Sequence, residues 1–255
     1  MSARPILAWT ERGSGPPLLL VHGVMITGEM FAPVIDRFAA TRRVSVPDLR
    51  GHGRSRHLPP PYTAARLAQD LVDLLDHLGV GATDVVGYSQ GGAIAQQLVL
   101  DHPARCRRLV LACTYAYNMA TLRERLEGHL APLLIRLLGM PRFARLVIAQ
   151  GLTRVERSRA DWVAALIGSQ DAALMVAAWR ASMAFDSRPR LGEIRCPTLV
   201  LAGAVDRAVP MHHARQLQHG IPGARLLVLD QGDHALIWAM PDAFVDAVAP
   251  FVNEG

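Results

Sequence analysis

Lysine is missing from this chain of 255 residues, so all 27 basic residues are arginines. Without an ε-amine, no side chain can form a Schiff base with a carbonyl substrate, and none can serve as a lysine acid or base. Cysteine is nearly as scarce. Cys106, Cys113 and Cys196 are odd in number and lack metal-type spacing, so neither a zinc module nor a disulfide framework is expected. Cys113, at the end of an apolar run, reads as a buried inert thiol, and a reducing cytoplasmic setting is the expectation. Nowhere does an apolar run reach the roughly 18 residues that a membrane span needs. The N-terminus, Met1-Ser2-Ala3-Arg4-Pro5, has no cationic stretch leading into a long apolar core, so no secretory signal is expected.

Acidic residues are outnumbered: the net charge is +5 and the isoelectric point is near 9.7. The arginines are nevertheless scattered. Arg105-Cys106-Arg107-Arg108 is the densest patch and Arg154, Arg157 and Arg159 form another, neither interleaved with aromatics. They read as solvated surface, so neither nucleic acid nor a membrane is an expected partner. Apolar material is plentiful, at 51% hydrophobic against 19% charged residues. That suffices for one α/β domain whose sheet is buried on both faces.

One pentapeptide carries the chemistry. Gly87-Tyr88-Ser89-Gln90-Gly91 reads G-x-S-x-G, preceded by the apolar run Asp84-Val85-Val86 and followed by a helix-like run from Gly92 to Val99. A serine between a strand and a helix must turn the backbone sharply, and the glycines remove side chains that would clash there. Its hydroxyl then stands at the positive end of a helix dipole. A serine needs an imidazole to take its proton and a carboxylate to orient the imidazole. Both follow in the chain. The buried-strand run Thr198–Gly203 ends in Ala204-Val205-Asp206, and the strand Arg225–Leu229 ends in Asp230-Gln231-Gly232-Asp233-His234. Asp206 and His234 thus fall just past strand carboxyl ends, where open α/β sheets place their ligands.

With Ser89, Asp206 and His234 in that order, the chain resembles the α/β-hydrolase superfamily along nearly its whole length. Val21-His22-Gly23-Val24 is similar to the family's oxyanion loop, and Pro47-Asp48-Leu49-Arg50-Gly51-His52-Gly53-Arg54-Ser55 to its D-x-x-G-x-G-x-S stretch. The resemblance implies an oxyanion hole formed by the backbone N–H groups of Val24 and Gln90, where many relatives carry methionine in place of Gln90. It also implies a substrate site near His22, Gly23 and Tyr88. The absence of lysine disfavours the hydroxynitrile lyases of this fold. The activity expected is a cofactor-free serine hydrolase acting on a carboxylic ester, thioester or lactone of a hydrophobic small molecule through an acyl-enzyme. The alternatives are carbon–carbon hydrolase or lyase chemistry on the same triad, with Arg123, Arg125 or Arg180 holding a carboxylate, and a ligand-sensing relative of receptor type.

The order of elements is regular up to one interruption. A hairpin near Ile6 to Glu11 is expected, then a strand at Leu18 to Val21, a helix from Glu29 to Phe38 and a strand at Arg43 to Val46. Thr63 starts a helix with Leu67, Leu71, Leu74 and Leu78 as its core stripe. After the strand Arg108 to Cys113, no strand follows until Cys196-Pro197. That gap is too long for an ordinary crossover, and its Leu122, Leu126, Leu130, Leu133, Leu134, Leu137 and Leu138 repeat helically. The reading is a mostly parallel sheet flanked by helices, with residues 1–114 and 197–255 as the core domain. Residues 115–196 form a helical cap inserted after the sixth strand. The cap leucines pack on one another or line an apolar pocket, with Trp162, Trp179 and Met183 as its candidate substrate contacts. The remaining histidines, including His52, His212 and His213, are expected mostly at the surface. No metal site is expected, because the pair His212-His213 has no third ligand nearby in sequence.

Overall fold

The computed structural model describes residues 6–151 and 154–254. Its frame is a seven-stranded sheet in the order β1-β3-β2-β4-β5-β6-β7. The strands are β1 (Trp9–Arg12), β2 (Pro17–Val21), β3 (Arg43–Pro47), β4 (Thr83–Tyr88), β5 (Cys106–Ala112), β6 (Thr198–Gly203) and β7 (Arg225–Leu229). Only β1 runs antiparallel to its neighbour. Along β2, Leu18 and Leu20 pack with one apolar layer and Leu19 and Val21 with the other. All four are buried, as expected of a parallel strand covered on both faces.

Helices α1 (Ile35–Ala39) and α9 (Pro241–Asn253) close the first face, where Phe38 meets Phe244 edge-on at 6.5 Å. Helices α2 (Ala64–His77), α3 (Gln90–Asp101) and α7 (Met211–Gly220) close the second, burying Leu67, Leu71, Ile94, Leu98 and Leu217. The hydroxyl of Thr63 caps α2 by accepting the Arg66 N–H, as its sequence position implies. At the foot of the sheet, buried Arg42 pairs with Asp84 and also donates to the carbonyls of Pro16, Pro17 and Val252. The C-terminal helix is thereby tied to β2 and β4.

Two elements differ from the sequence reading. The helix expected over Glu29–Phe38 is a 3₁₀ turn at Gly28–Phe31 followed by the short α1. Pro33 lies between them; its ring carries no N–H and obstructs a continuous helix. The hairpin expected over Ile6–Glu11 is the single strand β1. The backbone before it is engaged elsewhere, since Ala8 donates to Ser55 Oγ at 2.9 Å and accepts from Asp48 N at 2.8 Å. The helical insertion therefore follows the fifth strand among the described residues rather than the sixth.

The insertion contains α4 (Leu122–Gly151), α5 (Arg157–Gly168) and α6 (Ala172–Met183). Helix α4 is two helices joined at a bend, with Gly139 at φ 69° and Pro141 just after it. Such a left-handed residue is where glycine carries no steric cost. A bridge between Tyr117 and Asp186 closes the base of the insertion, while Leu191 and Ile194 pack with the core layer around α3 and α7. The remaining short helical pieces among the described residues are α8 (Leu236–Ala239) and 3₁₀ turns at Gly53–Ser55, Pro103–Arg105 and Arg188–Glu193.

Candidate active site

The chain adds β3 to one side of β2, then crosses to add β4 on the other. The loops after β2 and β4 therefore diverge over the same crevice, the place where open α/β sheets bind ligands. Ser89 stands there at φ 54° and ψ −123°, a conformation that costs a non-glycine residue about 1–3 kcal/mol. Its neighbours explain how the turn survives. A Cβ on Gly87 would lie 2.5 Å from the Gly91 carbonyl oxygen, and one on Gly91 only 2.1 Å from that of Val21. The Ser89 N–H donates to Ala112 O at 2.9 Å, and its carbonyl accepts from the Thr114 hydroxyl at 2.6 Å.

Ser89, His234 and Asp206 are brought into one hydrogen-bonded chain. His234 Nε2 lies 3.2 Å from Ser89 Oγ, and Nδ1 lies 2.8 Å from Asp206 Oδ2. The other Asp206 oxygen accepts the N–H groups of Ala208 and Val209 at 2.9 and 2.8 Å, which holds the carboxylate in place. Asp233 turns away, and its Oδ1 instead accepts the Ala235 N–H at 2.8 Å. Asp230 is exposed at the end of β7. Burial alone would lower the His234 pKa, but the charge and hydrogen bond of Asp206 outweigh it, so it lies above the ordinary imidazole value. Tyr88 donates its hydroxyl to the His234 carbonyl at 2.7 Å, holding the histidine loop over β4.

Gly23 abuts the serine: a Cβ there would sit 3.3 Å from Ser89 Cβ. Val24 follows at the cavity wall, and Gln90 is the first residue of α3, so its N–H has no carbonyl of that helix to meet. Two buried imidazoles hold this loop. His22 accepts the Leu49 N–H at Nε2 (2.9 Å) and donates from Nδ1 to the Gly23 carbonyl (2.7 Å). His52 accepts the N–H of Met25, a residue at φ 65°, at 3.2 Å. Its other nitrogen meets Arg50 O at 3.1 Å, and the two rings pack edge-on at 5.2 Å. Burial keeps both neutral, pulling His22 below its usual value and His52 down to about 3. Asp48 completes the support, accepting the N–H groups of Gly28 and Arg54 and the Arg54 guanidinium.

The cavity in front of Ser89 measures about 200 Å³. Its walls come from the loop after β2 (Val24, Met25, Ile26), from the insertion (Phe143, Val147, Ile167, Trp179) and from Val209 and Trp238 beside the acid and histidine loops. Its polar lining includes Asn118 and the hydrogen-bonded pair Tyr115–Ser182. No charged side chain except the Ser89–His234–Asp206 chain approaches it among the described residues.

Comparison with known proteins identifies the fold. The sequence pattern described as the alpha/beta hydrolase fold matches residues 16–129, and one described as TAP-like protein matches residues 166–255. An Azorhizobium caulinodans protein named carbamate hydrolase RutD is 32% identical over 97% of this chain and 95% of its own. The chain belongs to the α/β-hydrolase superfamily. Among solved structures, a hydrolase from Pseudomonas aeruginosa PA01 superposes with a TM-score of 0.88 at 31% identity, covering 97% of this chain and 94% of that one. The enol-lactonase of Burkholderia xenovorans LB400 superposes with a TM-score of 0.88 at 26% identity, covering 97% and 96%. This protein is a hydrolase of that fold.

In the hydrolase, the candidate substrate contacts divide. Gly23, Tyr88 and Trp179 line the cavity, whereas His22 spends one nitrogen on its own loop and the other on Leu49 in the loop after β3. Trp162 packs on the core layer, and Met183 lies against Gly128 and Asn118. Phe143, Val147, Ile167 and Trp238 carried no sequence signal beyond apolarity. Of the histidines expected at the surface, His52 and His213 are fully buried. The pair His212-His213 does meet a third group: Glu124 Oε1, from the first turn of α4, lies 3.0 Å from each Nε2. Burial and the neighbouring His212 lower the His213 pKa. Burial would raise the Glu124 carboxyl, but the Thr121 N–H and His213 lower it. The contact joins the insertion to α7.

Proposed function

We propose that this hydrolase cleaves a neutral carboxylic ester, thioester or lactone with a hydrophobic acyl group, using Ser89 as nucleophile. Ser89 Oγ attacks the carbonyl carbon as His234 Nε2 takes its proton, and Asp206 holds the ring and steadies its charged form. The oxyanion points at the N–H groups of Val24 and Gln90. His234 then protonates the leaving group, and water activated by the same nitrogen releases the acid from the acyl-enzyme. Residues 115–196 act as a cap whose inner side chains form the acyl pocket.

The observation that carries the reading is the Ser89–His234–Asp206 hydrogen-bonded chain opening onto an apolar cavity. The walls favour a hydrophobic acyl group over a small polar carbamate, which would leave Phe143, Val147 and Ile167 facing water. A cavity of about 200 Å³ is somewhat larger than the roughly 150 Å³ that admits benzene, so it suits an acyl chain of about six to eight carbons. Carbon–carbon chemistry on an acidic substrate finds less support. Arg123 pairs with Glu127, Arg125 donates to the Met119 carbonyl, and Arg180 lies in a separate cleft between α4 and α6. A fluorophosphonate should label Ser89 alone, and Ser89→Ala should abolish labelling and turnover together. Undiminished turnover by Ser89→Ala overturns the mechanism.

A further inference from the structure

The first half of α4 turns an apolar face to solvent. Leu122, Leu126, Leu130, Leu133 and Leu137 are 82%, 59%, 42%, 51% and 69% exposed. At 3.6 residues per turn these five fall within an arc of about 80°, a ridge about 24 Å long. These five fill neither the cavity nor the core, which corrects for them the expectation that the cap leucines pack on one another or line the pocket; Leu134 does pack on the core layer. A contiguous exposed leucine surface edged by polar groups marks a binding face rather than a chance exposure.

The edges of the ridge are cationic. On the same helical projection Arg125, His129 and Arg136 border one side and Arg123 the other. Beyond the bend at Gly139, Arg142 and Arg145 are exposed as well. The single exposed acid on this stretch, Glu127, is already paired with Arg123, while Glu124 is turned inward to His212 and His213. Arg136, Arg142 and Arg145 have no carboxylate partner among the described residues.

We propose that this ridge docks the protein onto an anionic lipid bilayer, with the leucines in the headgroup–acyl boundary and the arginines on lipid phosphates. A helix with leucines on one face and arginines along its edges suits that plane, and arginine grips phosphate bidentately. The helix lies on the membrane and does not cross it; no single helix among the described residues is long and apolar enough to do so. A second copy of the chain fits the ridge less well. In the antiparallel two-fold register that sets Leu122 against Leu137 and Leu126 against Leu133, the edge carrying Arg125 and Arg136 meets the same edge of the other copy, bringing Arg125 beside Arg136 twice, a like-charge repulsion that anionic lipid removes. The inference stands apart from the proposed ester chemistry, because its readout is binding.

The experiment is co-sedimentation of the full chain with large vesicles of phosphatidylcholine, with and without one quarter phosphatidylglycerol. Wild type should partition onto the anionic vesicles at least tenfold better than onto the neutral ones, and less as salt rises. The double variant Leu126→Ser/Leu133→Ser should lose at least tenfold of that partitioning. Arg136→Glu should lose most of the preference for anionic vesicles. Both should melt like wild type and hydrolyse water-soluble p-nitrophenyl acetate at an unchanged rate, since neither site touches the cavity. Wild type that stays in the supernatant with anionic vesicles overturns the proposal, as does undiminished partitioning of the double variant or equal binding to neutral lipid. A dimer in light scattering that the double leucine variant splits, with no vesicle binding, would assign the ridge to a second copy instead.

Discussion

Replacing Val147 with phenylalanine should shorten the acyl chain that the enzyme prefers. Val147 lies on the inner side of α4 and forms part of the wall of the roughly 200 Å³ cavity before Ser89. Each methylene of substrate buried there contributes up to about 0.8 kcal/mol. The four methylenes separating acetyl from hexanoyl are then worth at most about 3 kcal/mol, somewhat over a hundredfold in kcat/KM. Partial burial would reduce that to about tenfold, and only area buried in the transition state counts toward the ratio. Phenylalanine at position 147 puts four more carbons into the same space. With two to four methylenes of substrate displaced, the hexanoyl ester should lose about 10- to 200-fold. The acetyl ester, too short to reach the wall, should stay within about twofold. The assay is initial-rate kinetics over p-nitrophenyl acetate, butyrate, hexanoate and octanoate for both proteins. An unchanged chain-length optimum in Val147→Phe would show that the acyl group does not enter this cavity. A wild-type preference for acetate throughout would remove the apolar pocket while leaving the serine chemistry intact.

Asp206→Asn should lower kcat/KM by about three to four orders of magnitude. The acid limb of what remains should move to lower pH, because Asp206 is what lifts the His234 pKa; Asp233→Asn should shift that limb far less, and the reverse result would reassign the acid. Gly91→Ala brings a Cβ within 2.1 Å of the Val21 carbonyl oxygen, so thermal melting should show a loss of more than about 3 kcal/mol, and a wild-type melting curve would contradict the packing described. Arg42→Met leaves the buried Asp84 without its principal partner, which should cost about 3–5 kcal/mol in urea unfolding; a loss below about 1 kcal/mol would mean that Arg107 and Arg108, 3.5 and 3.8 Å from Asp84, already compensate its charge.

The readable parts of the sequence were those governed by local backbone chemistry. Ser89 announces itself because only glycine fits at Gly87 and Gly91, where a Cβ would strike the backbone. Thr63 announces a helix start because an N-cap needs a short side-chain acceptor. Asp206 and His234 follow strand ends, which their own apolar runs mark out. What stayed hidden depends on long-range packing. The leucine repeat of α4 has the same period whether the face meets a neighbour or water, so sequence gave no reason to set Leu126 apart from Leu67. His52 reads like any loop histidine until the loop after β2 folds over it. Glu124 is too far along the chain from His212 and His213 for spacing to link them. Pro33, by contrast, marks the helix break in the sequence itself, since its ring has no N–H to donate.

The imidazoles behind the loop after β2 also simplify how the enzyme counts protons. His22 and His52 sit close to the reacting groups, yet each has its neutral form locked by a backbone N–H donated to Nε2. Protonating Nε2 of either ring would break the bond that shapes the loop, and burial opposes that event, holding His22 below its usual value and His52 down at about 3. Of the three histidines His22, His52 and His234, the last is the one whose pKa is raised, so it takes up its proton first as the solution is acidified. The logarithm of kcat/KM plotted against pH should therefore fall with a slope of one. A slope of two would mean that the supporting loop titrates along with the base.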